Sequence, residues 1–199
     1  MNSRSSKSRI IDPEFLLLAY CNGYFPMAEP KTGEVGWFSP DPRAIFELNE
    51  FHIPRSLRMV LKKQRFEIKI NERFEEVMRA CGERSETWIS EDIIQTYLQL
   101  HQKGFAHSVE AWREGKLAGG LYGVAIGGAF FGESMFSRER DASKVALVHL
   151  VERLKTHGYE LLDTQWTTSH LKMFGAKEIP RKEYLKRLKK AIHLRVHFL

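Results

Sequence analysis

Ala129-Phe130-Phe131-Gly132-Glu133-Ser134-Met135-Phe136-Ser137-Arg138 is the stretch that decides how the rest of the chain is read. The apolar run 129–131 predicts a buried strand, which Glu133 ends. A carboxylate at the end of a hydrophobic strand is costly unless it is paired or used. Two serines, a methionine and an arginine follow, and then a helix. A charged group between a core strand and a helix start is a common place for a ligand site. The competing reading is a strand-end carboxylate in water.

Working outward, Gly127-Gly128 is a two-residue hairpin signal. It joins 129–133 to a strand over 116–126. The turn Arg113-Glu114-Gly115 joins that strand to another over 107–112. On the other side a helix is expected over 141–157, with Asp141 as its cap and Gly158 as its stop. A fourth strand is expected over 159–165. A helical crossover after an antiparallel meander permits parallel pairing of that last strand.

Helices precede the meander. Phe74, Val77, Met78 and Cys81 form an i, i+3, i+4, i+7 stripe over 73–81. Ser90 caps a second helix, Glu91 and Asp92 favour its dipole, and Gly104 ends it. Asp12 and Pro13 start a short helix over 12–21. Gly33, Gly36, Pro40 and Pro42 then break regular structure. The expectation is a small N-terminal unit, 1–45, and a catalytic domain, 46–199. The fold class is α+β, or α/β-like, with a mixed sheet flanked by helices. This order resembles the core of the acetyltransferase-like (GNAT) fold.

Composition excludes several classes. The 199 residues are 43% hydrophobic and 28% charged, as in an ordinary globular protein. No apolar run approaches the ~20 residues of a membrane span, and no membrane partner is expected. Residues 1–9 are polar and basic, without an apolar signal core. Cys21 and Cys81 give no disulfide framework and no Cys-x-x-Cys pair, which fits a cytoplasmic location. The eight histidines lack metal-ligand spacing, so neither a metal site nor a cofactor is expected. Net charge is +6, and the positive charge is segregated. One cluster is Arg55, Arg58, Lys62, Lys63 and Arg65, and a second runs from Arg181 to Arg195. Such clusters suit a polyanion such as RNA, or they are solvated helix faces.

Leu161-Leu162-Asp163-Thr164-Gln165 is a second polar intrusion into a core strand. Alternation puts Asp163 and Gln165 on one face, about 7 Å apart. A Gln amide can donate to a carboxylate and still accept from a substrate. In an acetyltransferase-like sheet the third and fourth strands meet near the ligand cleft, so Glu133 and Asp163 would converge. Such enzymes hold the coenzyme A pyrophosphate on a Gly-rich turn before the crossover helix. Here the expected turn, 134–138, has no glycine. Neither a Walker loop nor a G-x-S-x-G elbow is present.

Six motifs now carry a family resemblance. They are Trp37-Phe38-Ser39-Pro40-Asp41-Pro42-Arg43, His107-Ser108-Val109-Glu110, Gly119-Gly120-Leu121-Tyr122-Gly123-Val124, Gly132-Glu133-Ser134-Met135-Phe136-Ser137-Arg138, Leu162-Asp163-Thr164-Gln165 and Gly175-Ala176-Lys177-Glu178-Ile179-Pro180-Arg181. In this order they resemble the leucyl/phenylalanyl-tRNA–protein transferase family, from about Asp12 to Ile192. The resemblance implies transfer of Leu or Phe from aminoacyl-tRNA to the N-terminus of proteins beginning with Arg or Lys, which marks them for degradation. A related branch transfers leucine to acidic N-termini. The resemblance assigns Asp163 and Gln165 to catalysis. It assigns Glu133 to binding the substrate amino group or supporting the site. It places Trp88 and Met27 at the 3′-terminal nucleotide, although a Trp is common where Met27 stands. Arg55, Arg58, Lys62, Lys63 and Arg65 are the candidates for tRNA phosphates. Leu121, Phe130, Met135 and Leu162 are candidates for an apolar pocket around the Leu or Phe side chain, the alternative being plain core packing. The competing functions are an acetyltransferase-like enzyme with another acyl donor and a noncatalytic RNA-binding protein.

Overall fold

The described part of the chain, residues 10–199 of the computed structural model, opens with α1 (Pro13–Cys21). Residues 1–9, whose polar composition argued against a signal peptide, lie outside the described residues. The Asp12 side chain accepts the Phe15 N–H at 2.9 Å, satisfying a donor that the first helical turn leaves free. A hairpin follows, β1 (Phe25–Ala28) with β2 (Val35–Phe38). β3 (Arg43–Phe46) then enters the large sheet, so residue 45, the expected boundary, falls inside a strand. Leu16, Tyr20 and Phe25 from this N-terminal part share a core with Ile93, Tyr97 and Phe131.

Next come α2 (Arg55–Lys62), β4 (Glu67–Ile70), α3 (Phe74–Gly82) and α4 (Glu91–Gln102). The stripe Phe74, Val77, Met78 and Cys81 is buried, as its period requires. Ser90 caps α4 by accepting the Ile93 N–H at 3.3 Å. The meander is β5 (Ala106–Arg113), β6 (Lys116–Ile126) and β7 (Ala129–Ser137). The crossover helix α5 (Ala142–Thr156) leads to β8 (Leu161–Gln165). α6 (Ser169–Lys172), β9 (Lys177–Ile179) and α7 (Arg181–Ala191) follow.

The large sheet has seven strands in the order β4-β5-β6-β7-β8-β3-β9. β7 and β8 are parallel, and the other neighbours are antiparallel. The expected meander, crossover and parallel fourth strand are therefore present, in an α+β fold. Alternate strand residues enter opposite cores, as the two-residue period demands. Tyr122, Val124 and Leu161 pack with α1, α3, α4 and α7, whereas Leu121, Ala125 and Leu162 pack with α2 and α5. The glycines of β6 permit close approach. A Cβ on Gly119 would lie 2.7 Å from the Ala142 methyl at the start of α5, and one on Gly123 would lie 2.3 Å from the Phe131 carbonyl oxygen.

Two expectations are corrected. β7 does not end at residue 133 but runs to Ser137, so Glu133 lies inside the strand. The turn before the crossover helix is therefore 138–141, again without glycine. Asp141 stands at the N-cap position with φ +70°, but its carboxylate caps nothing. It accepts the Lys144 ammonium at 2.7 Å instead. Among the described residues no helix is long and apolar enough to cross a membrane.

Candidate active site

β7 and β8 pair only across 129–131 and 161–163. Beyond that stretch both strands line a cavity of about 810 Å³. Each strand carries a register shift there. Tyr122 faces Ser134 while Gly123 faces Gly132, which makes Glu133 the extra residue of a bulge. Ala44 faces Gln165 while Ile45 faces Asp163, which makes Thr164 the extra residue on β8. A bulge bends its strand and re-aims a side chain. Gln165 then adopts φ +58° at the strand end.

Asp163 is fully buried and does not reach the cavity. Its Oδ1 accepts from Arg43 Nε at 2.9 Å and from the Gln165 N–H at 2.9 Å. Its Oδ2 accepts from Arg43 Nη2 at 2.6 Å and from the Tyr184 hydroxyl at 2.7 Å. Arg43 is fully buried too, with its guanidinium 4.8 Å from the Phe25 ring centroid and 4.6 Å from that of Tyr184. Burial works against the Arg43 charge, but Asp163 holds its pKa above the usual value. The carboxylate that the resemblance assigns to catalysis holds the Gln165 backbone, and Gln165 lines the cavity.

Gln165 Nε2 donates to Glu133 Oε1 at 3.3 Å. The Tyr20 hydroxyl donates to Oε1 at 2.7 Å and the Tyr97 hydroxyl to Oε2 at 3.2 Å, and the two hydroxyls also bond each other. Burial pushes Glu133 up to about 7, and the Asp163 charge adds to the shift. The tyrosine hydrogen bonds and Arg43 oppose it. Burial also drives both tyrosines well above their ordinary value, so they remain protonated donors.

Leu121, Met135 and Leu162 line the cavity as expected, together with Leu147, Leu150 and Leu171. Phe130 does not: it is fully buried, and its ring lies 5.3 Å from that of Phe198. Met27 and Trp88 both line the cavity. Arg55, Arg58, Lys62, Lys63 and Arg65 are exposed on and just after α2, and none pairs with a carboxylate among the described residues. The second basic segment is partly neutralised, because Arg187 pairs with Glu47 and Glu183, and Lys190 with Glu160. Glu110 has a structural role: it is fully buried and accepts from the Arg73 N–H, the Ser108 hydroxyl and the Trp112 indole.

Sequence reasoning missed Arg43, Tyr184, Tyr20 and Tyr97. Only Arg43 left a signal, as a charge heading the apolar run Ala44-Ile45-Phe46. It also missed three polar atoms, Tyr122 Oη, Thr164 Oγ1 and His170 Nε2. They are buried without a hydrogen-bond partner among the described residues, and all three residues line the cavity. Buried polar groups are ordinarily satisfied, so their convergence marks a place for a polar ligand or water.

Known proteins share this chain's pattern. The family model described as "Leucyl/phenylalanyl-tRNA protein transferase" matches residues 45–189, and that of its N-terminal domain matches residues 9–41. The chain belongs to this family. A leucyl/phenylalanyl-tRNA–protein transferase of Gloeobacter violaceus is 54% identical over 188 residues, covering 94% of this chain and 97% of that one. One from Rubrobacter xylanophilus is 57% identical over 185 residues, covering 92% and 96%. Family membership makes the protein an aminoacyltransferase. Among solved structures, L-PGS from Bacillus licheniformis aligns over 88% of this chain and 62% of its own, at 15% identity and a TM-score of 0.43.

Proposed function

We propose that this protein, in the cytoplasm, transfers Leu, Phe or Met from aminoacyl-tRNA to the α-amine of proteins beginning with Arg or Lys and so marks them for degradation. The observation that carries the reading is one cavity with two parts. An apolar wall of Leu121, Met135, Leu147, Leu150 and Leu162 adjoins the polar pair Glu133 and Gln165. The apolar wall fits the side chain of the transferred amino acid, and the polar pair lies where its ester and amino group would be.

The reaction needs little covalent help from the protein. An aminoacyl ester is activated, and an α-amine with a pKa of about 8 is a competent nucleophile. The amine nitrogen attacks the ester carbonyl, an amide bond forms, and the ester C–O bond breaks. The proton lost by the amine ends on the departing ribose oxygen. The protein supplies position, a proton acceptor and an amide dipole for the developing oxyanion. Glu133, with its pKa near 7, is the acceptor matched to such an amine. Gln165 supplies the dipole, and Arg43, Asp163 and Tyr184 hold it in place.

The test is incubation of the protein with radiolabelled Leu-tRNA and acceptor proteins beginning with Arg, Lys or Asp. Label in the first two supports the reading. Label only in the third moves the acceptor class, and label in none removes the reaction.

A further inference from the structure

The chain has four tryptophans, and the structure divides them. Trp37 meets the Phe15 ring edge-on at 5.3 Å, and Trp112 donates its indole N–H to Glu110. Trp88 and Trp166 line the cavity. Trp166 directly follows Gln165 and is 44% exposed. Its backbone N–H donates to the Thr164 carbonyl at 2.7 Å, which ties the indole to the bulged end of β8. Phe25 lies 5.1 Å from it at an 85° angle and Phe38 lies 6.2 Å away at 66°. Neither neighbour stacks parallel on the indole. Met27, on the same cavity, contributes no ring.

The geometry points to Trp166 as the stacking platform for the terminal adenosine of the aminoacyl-tRNA. This rests on the transfer reaction proposed above. The aminoacyl group is esterified to that nucleoside, so a base near the reacting ester must lie within a few ångströms of Gln165. An indole held at the cavity, not buried in the core and unstacked by its neighbours, offers a π-face to any base.

Charge favours a nucleotide over the cationic first residue of an acceptor protein. Arg181 donates to the Ser39 carbonyl at 3.0 Å, one residue beyond Phe38. It is exposed, and its guanidinium pairs with no carboxylate among the described residues, while its backbone N–H donates to Asp41 Oδ1 at 3.0 Å. Arg84, which lines the cavity, donates to the Met135 carbonyl at 2.6 Å and likewise has no carboxylate partner among them. Such guanidiniums attract phosphate and repel Arg or Lys. The carboxylates nearby are already engaged: Glu178 accepts the Thr167 hydroxyl, Asp41 accepts the Arg181 backbone N–H, Glu83 pairs with Arg138, and Glu133 is held by Tyr20, Tyr97 and Gln165.

The experiment compares wild type, Trp166→Ala and Trp166→Phe, with melting curves to verify folding. The first probe is phenylalanine joined by an amide to 3′-amino-3′-deoxyadenosine, which binds without reacting. The second is phenylalanine amide, which lacks the nucleoside. Trp166→Ala is expected to weaken the nucleoside probe roughly 5–100-fold, with Trp166→Phe recovering most of the loss. Phenylalanine amide should bind all three alike. In transfer assays the KM for Leu-tRNA should rise in Trp166→Ala while the KM for an Arg-starting acceptor stays constant. Equal affinity of wild type and Trp166→Ala for the nucleoside probe overturns the assignment. So does a rise in acceptor KM alone, which gives Trp166 to the acceptor protein. Wild type that binds the nucleoside probe with Trp166-dependent affinity but transfers no label would refute the reaction and leave the platform standing.

Discussion

Arg43 and Asp163 form a fully buried, two-point ion pair between neighbouring strands, with Nε to Oδ1 at 2.9 Å and Nη2 to Oδ2 at 2.6 Å. The pair joins β3 to β8 where β8 turns toward the cavity. Removing one partner strands the other charge in the core, at a cost of about 3–5 kcal/mol. Arg43→Met and Asp163→Ala should each lower the melting temperature, and the double variant should lose less than the sum of the two. Both should also lower turnover: Asp163→Ala removes the backbone anchor of Gln165, and Arg43→Met removes the group that holds that anchor. Calorimetry alongside the transfer assay checks this. Asp163→Ala that melts like wild type yet fails to turn over would instead make Asp163 a reacting group.

Gln165 gives the opposite signature. Its side chain makes one long contact, to Glu133 at 3.3 Å. Gln165→Ala should therefore melt close to wild type while turnover falls ~10²–10³-fold, the usual loss for one oxyanion donor. A Gln165→Ala enzyme of normal turnover would take the amide out of the mechanism.

Glu133 sets a pH dependence. The groups facing it are Tyr20, Tyr97, Gln165, Asp163 and Arg43. As proton acceptor it must be ionised, so turnover should rise with pH through an apparent pKa near 7. Glu133→Gln should remove that component and leave only the limb of the α-amine, at about 8. Stability should move the other way. The folded pKa is raised from 4.5 to about 7, so the folded state holds a proton that the unfolded state has lost. This group's contribution is greatest below about pH 4.5 and declines as pH rises to about 7. Glu133→Gln should gain stability relative to wild type across that window, read by denaturant unfolding at a series of pH values. A constant difference would contradict the raised pKa.

The apolar wall predicts a donor preference. Leu121, Met135, Leu147, Leu150 and Leu162 leave room for side chains unbranched at Cβ, such as Leu, Phe and Met. Val and Ile should transfer more slowly, by an amount worth about 1–3 kcal/mol. Competition between Val-tRNA and Leu-tRNA at matched concentration is the check, and equal rates would rule out this pocket as the selector.

The unpaired cations of α2 predict salt-dependent tRNA binding with little dependence on tRNA identity. Each lost phosphate contact should reduce the log–log salt slope by roughly 0.7–0.9. Lys62→Ala/Lys63→Ala is the variant to titrate. A slope equal to that of wild type would make this a solvated face and shift attention to the segment from Arg181 to Arg195.

The sequence by itself determined the elements, because their signals are local. The stripe from Phe74 to Cys81, the cap at Ser90, the Gly127-Gly128 turn and the crossover before β8 each depend on residues near in the chain. Together they specify a meander, a crossover and a parallel strand. Glu133 and Gln165 were also legible, as polar residues inside apolar strands.

Only the tertiary structure decided what those residues do. Alternation does not foresee that Thr164 bulges out of register or that Gln165 takes φ +58°. The end of β7 was misplaced because Ser134, Met135 and Ser137 carry no strand signal of their own, and pairing with β6 keeps them extended. Arg43 and Tyr184 reach Asp163 across 120 and 21 residues, and Tyr20 and Tyr97 reach Glu133 across 113 and 36. No period of two or 3.6 residues encodes contacts at such separations. Folding alone brings these groups together, and their shared burial turns an ordinary carboxylate at position 133 into an acid with a pKa near 7.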